Sequence, residues 1–547
     1  MNAAELLVKC LESEGVKLIF GVPGEENEDM LFAIEKSSIT FIPTRHEQGA
    51  AFIADVIGRL TQKPGVCLAT LGPGATNLMT GIADAYLDRS PVIAITGQGD
   101  LSRLHHESHQ VIDICKMMDP VTKRSYQITN ASQVSEIVRQ AFQTATTKKF
   151  GPVHIELPED VAKENCNDLT PLPSPLSIAT HVKLFKAHEI TNIFKSSKNP
   201  LLLVGNGVIR SKAEKQLIRF ADKFNIPIVT TFMAKGIVNE SSKLFLGAVG
   251  LGFKDYVIDA FVKSDLIISV GYDIVEYSPD NWNLGKTKKI LHIDETNIIP
   301  YDNYNATLEI TGDIKTILEE LEILKIIPFK INWIKKIQNR ILSSINAFEL
   351  KNNNDERFTV PGLLHILNKK LSKDSVLISD VGSHKMWIAR NYLAPQPNSC
   401  IISNGFATMG IAIPGAIGAQ LTYPDKQVIA IMGDGGAMMN IQELETMQRL
   451  HLPCIIIILK DNKYGLIEWK QEMSSNKSYG VNFTGIDFVK IAKSFGIKGY
   501  RPYSVKHLKR VISKVLKSRK PAVIEVEIDN YVNKQLTKEL SNHFKNK

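Results

Sequence analysis

Thirteen short runs of apolar, largely β-branched residues recur along the chain, each closed by Gly, Pro, Asp or a polar turn and separated from the next by stretches with helical periodicity. In order they are KLIFGVPG, TFIPTRH, GVCLATLGPG, PVIAITGQ, PVHIELP, PLLLVGNG, IPIVTT, DLIISVG, KILHID, SVLISDVG, QVIAIMGDG, PCIIIILKD and PAVIEVEI. A strand that is apolar at every position, rather than at alternate ones, is covered on both faces, as in a parallel sheet. The pattern therefore predicts an α/β chain of doubly wound parallel sheets. Two seams interrupt it. NCNDLTPLPSPLS, 165–177, combines three prolines with polar residues, and ELKNNNDERFTVPG, 349–362, places an Asn run after a helical segment. Three units result, at 1–168, 180–330 and 355–535, each close to the usual domain size. The first and third share a rhythm of strand, Gly-rich loop and helix, without an exact repeat in sequence.

The 547 residues are 44% hydrophobic and 22% charged, ordinary for a folded globular chain. The net charge of +8 arises from 65 basic and 57 acidic residues spread along the sequence, so no basic stripe that could track nucleic acid is expected. No run of 18 apolar residues occurs, and acidic residues interrupt the apolar start MNAAELLVKCLESEG. The expectation is a cytoplasmic protein with neither membrane nor nucleic-acid partner. The six cysteines form no CxxC pair and read as reduced, mostly buried thiols.

The segment from Gly433 to Gly465 carries the most chemistry. A buried run ends in Gly433-Asp434-Gly435-Gly436, an amphipathic helix is predicted through IQELETMQRL, and the next buried run ends in Lys460-Asp461-Asn462. At the C-terminal edge of a parallel sheet, Asp434 and Asp461 would stand at neighbouring strand ends. The glycines allow close approach of a ligand, and the following helix offers free N–H groups and the positive end of its dipole to an anion. Carboxylates beside such an anion site make sense with a divalent cation between them, and octahedral Mg²⁺ completed by diphosphate oxygens fits.

These motifs resemble the thiamine-diphosphate enzymes, whose signature is GDG followed some 25–30 residues later by Asn or Asp-Asn. The resemblance implies Asp434 and Asp461 as side-chain metal ligands and Lys463 as a main-chain ligand, its ammonium turned away. It implies that Glu47, in TRHEQGAAFIAD, hydrogen-bonds N1′ of the cofactor's aminopyrimidine from a poorly solvated place. Met409, in NGFATMGIAIPG, would support the bent cofactor. Pro23 and Gly24, with Gly382, Ser383, His384 and Tyr464, would complete the cofactor contacts.

Within that family the sequence resembles the acetolactate synthases, through FGVPGEEN, RHEQGAAFIAD, GVCLATLGPGATNL, PVIAITGQ, HQVID, GPVHIELPEDV and QELETMQRL. SVGYDIVEYSPDNWN, 269–283, is similar to the FAD-independent, catabolic type, and Asp273 falls where the flavin-dependent type has an arginine. FAD is therefore not expected. VGNGV, 204–208, lacks the full dinucleotide fingerprint and reads as a structural turn. The resemblance implies decarboxylation of pyruvate and condensation with a second pyruvate to give 2-acetolactate, with Gln110 near the reacting carbon. It also implies a homo-oligomer, dimer or tetramer, whose site lies between subunits. Leu104-His105-His106 and Glu468 keep open a 2-oxo acid decarboxylase, and an inactive regulatory relative is a third reading. Tyr277 and Lys470 stand where the flavin-dependent type has residues that handle the second substrate, which leaves acceptor choice open.

Overall fold

The computed structural model describes residues 1–173, 187–250, 254–350 and 358–545. The predicted seams fall partly outside these residues, and the starts of the second and third predicted units, at 180 and 355, lie outside them. Three six-stranded sheets account for the fold, and every strand pair in them is parallel. The first comprises β1 (Leu18–Gly21), β2 (Thr40–Pro43), β3 (Gly65–Ala69), β4 (Val92–Gln98), β5 (Arg124–Gln127) and β6 (Pro152–Pro158), in the order β2-β1-β3-β4-β6-β5. The second contains β7 (Pro200–Val204), β8 (Ile228–Thr231), β9 (Phe245–Val249), β10 (Leu266–Val270), β11 (Lys289–Asp294) and β12 (Leu308–Thr311), in the order β12-β11-β10-β7-β8-β9. The third contains β13 (Val376–Ser379), β14 (Cys400–Ile402), β15 (Val428–Gly433), β16 (Ile455–Lys460), β17 (Lys498–Tyr500) and β18 (Ala522–Glu527), in the order β14-β13-β15-β16-β18-β17.

Counted from its own first strand, the third sheet repeats the 2-1-3-4-6-5 order of the first. The sequence showed only a shared rhythm; the repeat lies in the topology. The middle sheet has instead the 3-2-1-4-5-6 order of dinucleotide-binding folds. All thirteen predicted strands are present, and the structure adds β5, β9, β12, β14 and β17, each at a sheet edge.

Successive side chains of a strand point to opposite faces, and the third sheet uses this to serve two neighbours. Ile378, Val428, Ala430, Met432, Ile456 and Ile458 join a core with Phe52, Ile53, Cys67 and Ala94 of the first domain. Their alternates Leu377, Ile429, Ile431, Ile457 and Leu459 join a core with Leu201, Leu203 and Ile267 of the second. The first and third domains meet along the helices Glu47–Thr61 and Ala412–Thr422. There Gly418 has no room for a side chain, since a Cβ would lie 2.8 Å from the Ile53 carbonyl oxygen. No helix among the described residues is long and apolar enough to cross a membrane. All six cysteines are free, five of them buried and Cys115 partly so.

Candidate active site

In an open parallel sheet, ligands bind beyond the C-terminal strand ends where the strand order reverses. In the third sheet that point lies between β13 and β15, and β16 is the next strand along. Gly433 pairs with Leu459, so Asp434 and Asp461 follow neighbouring strand ends directly. Asp434 Oδ2 accepts the N–H groups of Asn462 (2.7 Å) and Asp461 (3.2 Å), and its Oδ1 accepts that of Gly435 (2.9 Å). Asn462 makes this turn with φ +57°, in the left-handed region that asparagine tolerates. Burial, and then the neighbouring Asp434 carboxylate, push Asp461 up to about 7; burial raises Asp434 as well. Two acids forced together in this way are relieved by a cation.

The helix expected through IQELETMQRL is present as Glu443–Arg449, preceded by a separate single turn at Asp434–Ala437. Between the two, the buried Asn440 donates its Nδ2 to the Gly410 carbonyl (2.9 Å) and to Gln48 Oε1 (3.1 Å). Tyr464 and Met409 converge over Gly435, where a Cβ would stand 2.9 Å from the tyrosine ring and 3.6 Å from the Met409 methyl. Lys463 donates its ammonium to Glu468 (Nζ to Oε2, 2.9 Å), and its carbonyl accepts the Gly465 N–H (3.0 Å), keeping a second lone pair. Gly382 precedes the helix Ser383–Asn391. The His384 ring lies between Gly382 and Gly433, and its Nε2 donates to the Asp380 carbonyl (3.0 Å). Burial holds His384 down at about 4, so it is neutral, with Nδ1 left as an acceptor.

The first sheet supplies a second set of strand ends. Glu47 opens the helix after β2, 8% exposed, and its Oε2 accepts a hydrogen bond from Asn77 Nδ2 (3.0 Å). Gly74 gives it space, since a Cβ there would lie 3.4 Å from Oε1. Gly24, next to the exposed Pro23, packs on Thr70, and Gln110 packs its carbonyl on Gly72. Gln110 is exposed, with φ +58°, on the loop that follows β4. The structure thus groups Pro23, Gly24, Glu47 and Gln110 on one edge and Gly382, Ser383, His384, Met409, Gly433, Asp434, Gly435, Gly436, Asp461, Lys463 and Tyr464 on another. The edges touch through the Gln48–Asn440 bond, but no hydrogen bond or ion pair joins Glu47 to Asp434 or Asp461 among the described residues.

Sequence reasoning missed two residues that shape these edges, Asp380 and Glu443. Asp380, fully buried, accepts the N–H groups of Val381, Gly410 and Ala412, and burial lifts it to about 6. Glu443 accepts the N–H groups of Arg45 and His46 (3.0 and 3.1 Å), fixing the turn that delivers Glu47. Asn462, the second member of the Asp-Asn pair, carries a buried Oδ1 with no partner among the described residues. The available signal was an acid inside an otherwise buried stretch, since such a group is retained only with partners. His105 and His106 bond to each other on an exposed loop, and Trp469 donates to Thr537.

No group of three His, Cys, Asp or Glu side chains suited to a metal occurs among the described residues. Two carboxylates and a carbonyl suit a hard cation that completes its shell with water or phosphate oxygens. The Asn462 side chain lies against Gly485, so the fit to a cation rests on the Asp434 and Asp461 carboxylates and the Lys463 carbonyl.

Comparison with known proteins gives the same picture over the whole length. Residues 1–117 match "Thiamine pyrophosphate enzyme, N-terminal TPP binding domain", residues 187–321 the central domain and residues 380–526 the C-terminal TPP binding domain of that family. A probable acetolactate synthase large subunit of Methanocaldococcus jannaschii is 36% identical over 97% of this chain and 92% of its own. An acetolactate synthase of Bacillus subtilis is 32% identical over 100% and 97%, and a catabolic acetolactate synthase of Raoultella terrigena 32% over 96% and 95%.

Proposed function

The chain belongs to the acetolactate synthases of the thiamine pyrophosphate enzyme family, and from that premise we propose how its residues divide the work. It is a thiamine-diphosphate enzyme that forms a carbon–carbon bond, turning two pyruvates into 2-acetolactate and CO₂. The carrying observation is the pair Asp434 and Asp461 at adjacent strand ends over a glycine floor. Neither the decarboxylase nor the inactive relative is favoured: the similar proteins are acetolactate synthases, and Glu468 is engaged by Lys463.

Bound thiamine diphosphate would supply a carbon nucleophile and an electron sink for decarboxylation. Asp434, Asp461 and the Lys463 carbonyl would hold Mg²⁺. The backbone at Gly433–Gly436 and Gly382–His384 would take the diphosphate; His384 would serve through its N–H, since its free ring nitrogen is an acceptor. Met409 and Tyr464 would bear on the bent cofactor, and Glu47 would hold a proton at N1′ of the aminopyrimidine. Gln110 would face pyruvate, while the enclosing loops exclude the water whose proton would divert the reaction to acetaldehyde.

The chain would act as a homo-oligomer with the site between subunits. In support, Phe406, Met438, Met439, Tyr464 and Ile467 on the site's own elements are all more than a third exposed, an apolar rim suited to a second copy. FAD has no place in this reading. Asp273, held well below the usual carboxylate range by Lys149 and Arg89 despite burial, sits beyond β10 at the middle sheet's switch point. Glu276 fills the adjacent turn after β7, both its oxygens accepting the Asn206 N–H (3.1 Å each). Lys149 and Arg89 offset the Asp273 charge, but Glu276, pushed up to about 7 by burial, occupies the Asn206 N–H that a flavin's diphosphate would need.

Purified protein given pyruvate, thiamine diphosphate and Mg²⁺ is expected to yield acetolactate, read as acetoin after acid, and to show no flavin absorbance. Acetaldehyde as the main product would overturn the assignment. Stripping the metal with EDTA is expected to abolish turnover and release cofactor, both restored by Mg²⁺; full activity after chelation would remove Asp434 and Asp461 from metal binding.

A further inference from the structure

Met409 stands in the stretch 403–411 between β14 and the helix Ala412–Thr422, and this stretch has little regular structure of its own. Its C-terminal side is tied down by Asp380, which accepts the Gly410 and Ala412 N–H groups. Its N-terminal side is held from a different domain. Asp88, at the end of the helix Pro73–Leu87, accepts the N–H of Asn404 on Oδ2 (3.0 Å) and that of Gly405 on Oδ1 (2.6 Å). Asp84, one turn earlier, accepts the Ser403 hydroxyl (2.6 Å), and Ser403 Oγ in turn accepts the Thr408 N–H (3.1 Å). Gly405 is required there: a Cβ would lie 2.9 Å from Asp88 Oδ1.

The two carboxylates are themselves fixed. Arg59 Nη2 lies 2.9, 2.8 and 2.7 Å from Asp55, Asp84 and Asp88, all three aspartates fully buried, and its Nη1 donates to the Ile402 carbonyl (3.3 Å). The Lys385 ammonium donates to the Ser403 carbonyl (2.7 Å), and Asn404 Nδ2 donates to the Glu276 carbonyl of the middle domain (2.8 Å). All three domains therefore converge on residues 402–405, four positions before Met409.

We propose that Asp88, clamped by Arg59, is a positioning residue: it sets the stretch that presents Met409 to the cofactor, so the first domain acts on the reaction through this stretch as well as through Glu47. The inference rests on the cofactor site proposed above. Its chemical basis is that both oxygens of Asp88 accept N–H groups. Asparagine can offer only one acceptor and would turn an NH₂ toward the other donor, leaving a buried N–H unpaired.

The test compares Asp88→Asn with Asp55→Asn. Both lose a carboxylate of the Arg59 cluster, but the Asp55 side chain touches Arg59 and not the stretch. Both variants are expected to melt earlier than the parent. Only Asp88→Asn is expected to lower kcat, by about tenfold or more, with pyruvate KM little changed and with slower deuterium exchange at C2 of the bound cofactor. Should Asp88→Asn not fold, Ser403→Ala removes one link of the same stretch and is expected to lower kcat about two- to tenfold. Combining either variant with Met409→Ala is expected to add nothing to the loss from Met409→Ala alone. Equal kcat for the Asp88 and Asp55 variants, unchanged kcat in Ser403→Ala, or additive losses with Met409→Ala would overturn the proposal. Calorimetry of the parent enzyme with thiamine diphosphate separates this from the underlying reading: a parent that binds no cofactor defeats the site itself.

Discussion

Glu47→Gln is expected to lower acetolactate formation by about two to four orders of magnitude, the range for loss of a positioned general acid/base, while cofactor binding persists. Glutamine has nearly the same shape, so Gly74 still accommodates it, and its amide oxygen can still accept from Asn77 Nδ2. What it lacks is the capacity to hold and return a proton. The carboxyl lies in a nearly closed place at the start of its helix, so water has little access to substitute for it. Steady-state turnover with calorimetric titration of thiamine diphosphate checks the expectation. Turnover equal to the parent's would take Glu47 out of the mechanism.

The largest loss of stability is expected from Arg59→Met. The guanidinium is the shared partner of Asp55, Asp84 and Asp88, all without solvent contact. Removing one member of a buried ion pair costs about 3–5 kcal/mol, and here three carboxylates lose the same partner. The sign with pH is also fixed. Burial already raises Asp55 and Asp84, and without the cation they rise further above their unfolded values. A group with a raised folded pKa contributes fully below its unfolded pKa and loses that contribution as pH rises through the folded value. The variant should therefore melt far below the parent at neutral pH and recover part of the gap on acidification toward pH 5. Arg59→Lys should lose less, keeping the charge without the fork. Scanning calorimetry across pH reads this, and a gap that widens in acid would refute it.

The interior strands were readable because burial on both faces leaves a continuous apolar run, and this is why β4, β7, β15 and β16 were found. The missed strands lie at edges. β5 alternates half-heartedly, β12 and β17 are mostly uncovered, and β14 has three residues. Glycines and acids at interior strand ends gave Asp434 and Asp461 for the same reason. An acid in a buried stretch marks Asp380 and Glu443 as paired but does not name the partners, which for Asp88 and Glu443 lie far along the chain: Asp88 meets Gly405 across 317 positions and Glu443 meets Arg45 across 398. The helix through IQELETMQRL was readable from its periodicity, whereas the turn at Asp434–Ala437 and the role of Asn440, bonded to Gly410 and Gln48 just before that helix, were not.

The third sheet hands alternate residues of each strand to two different neighbours. A segment cut out around it would be greasy on both sides, and shifting one strand by a single residue would swap what each neighbour receives. Here topology and cooperativity have different boundaries: three folds can be drawn on paper, but the chain has reason to melt as one.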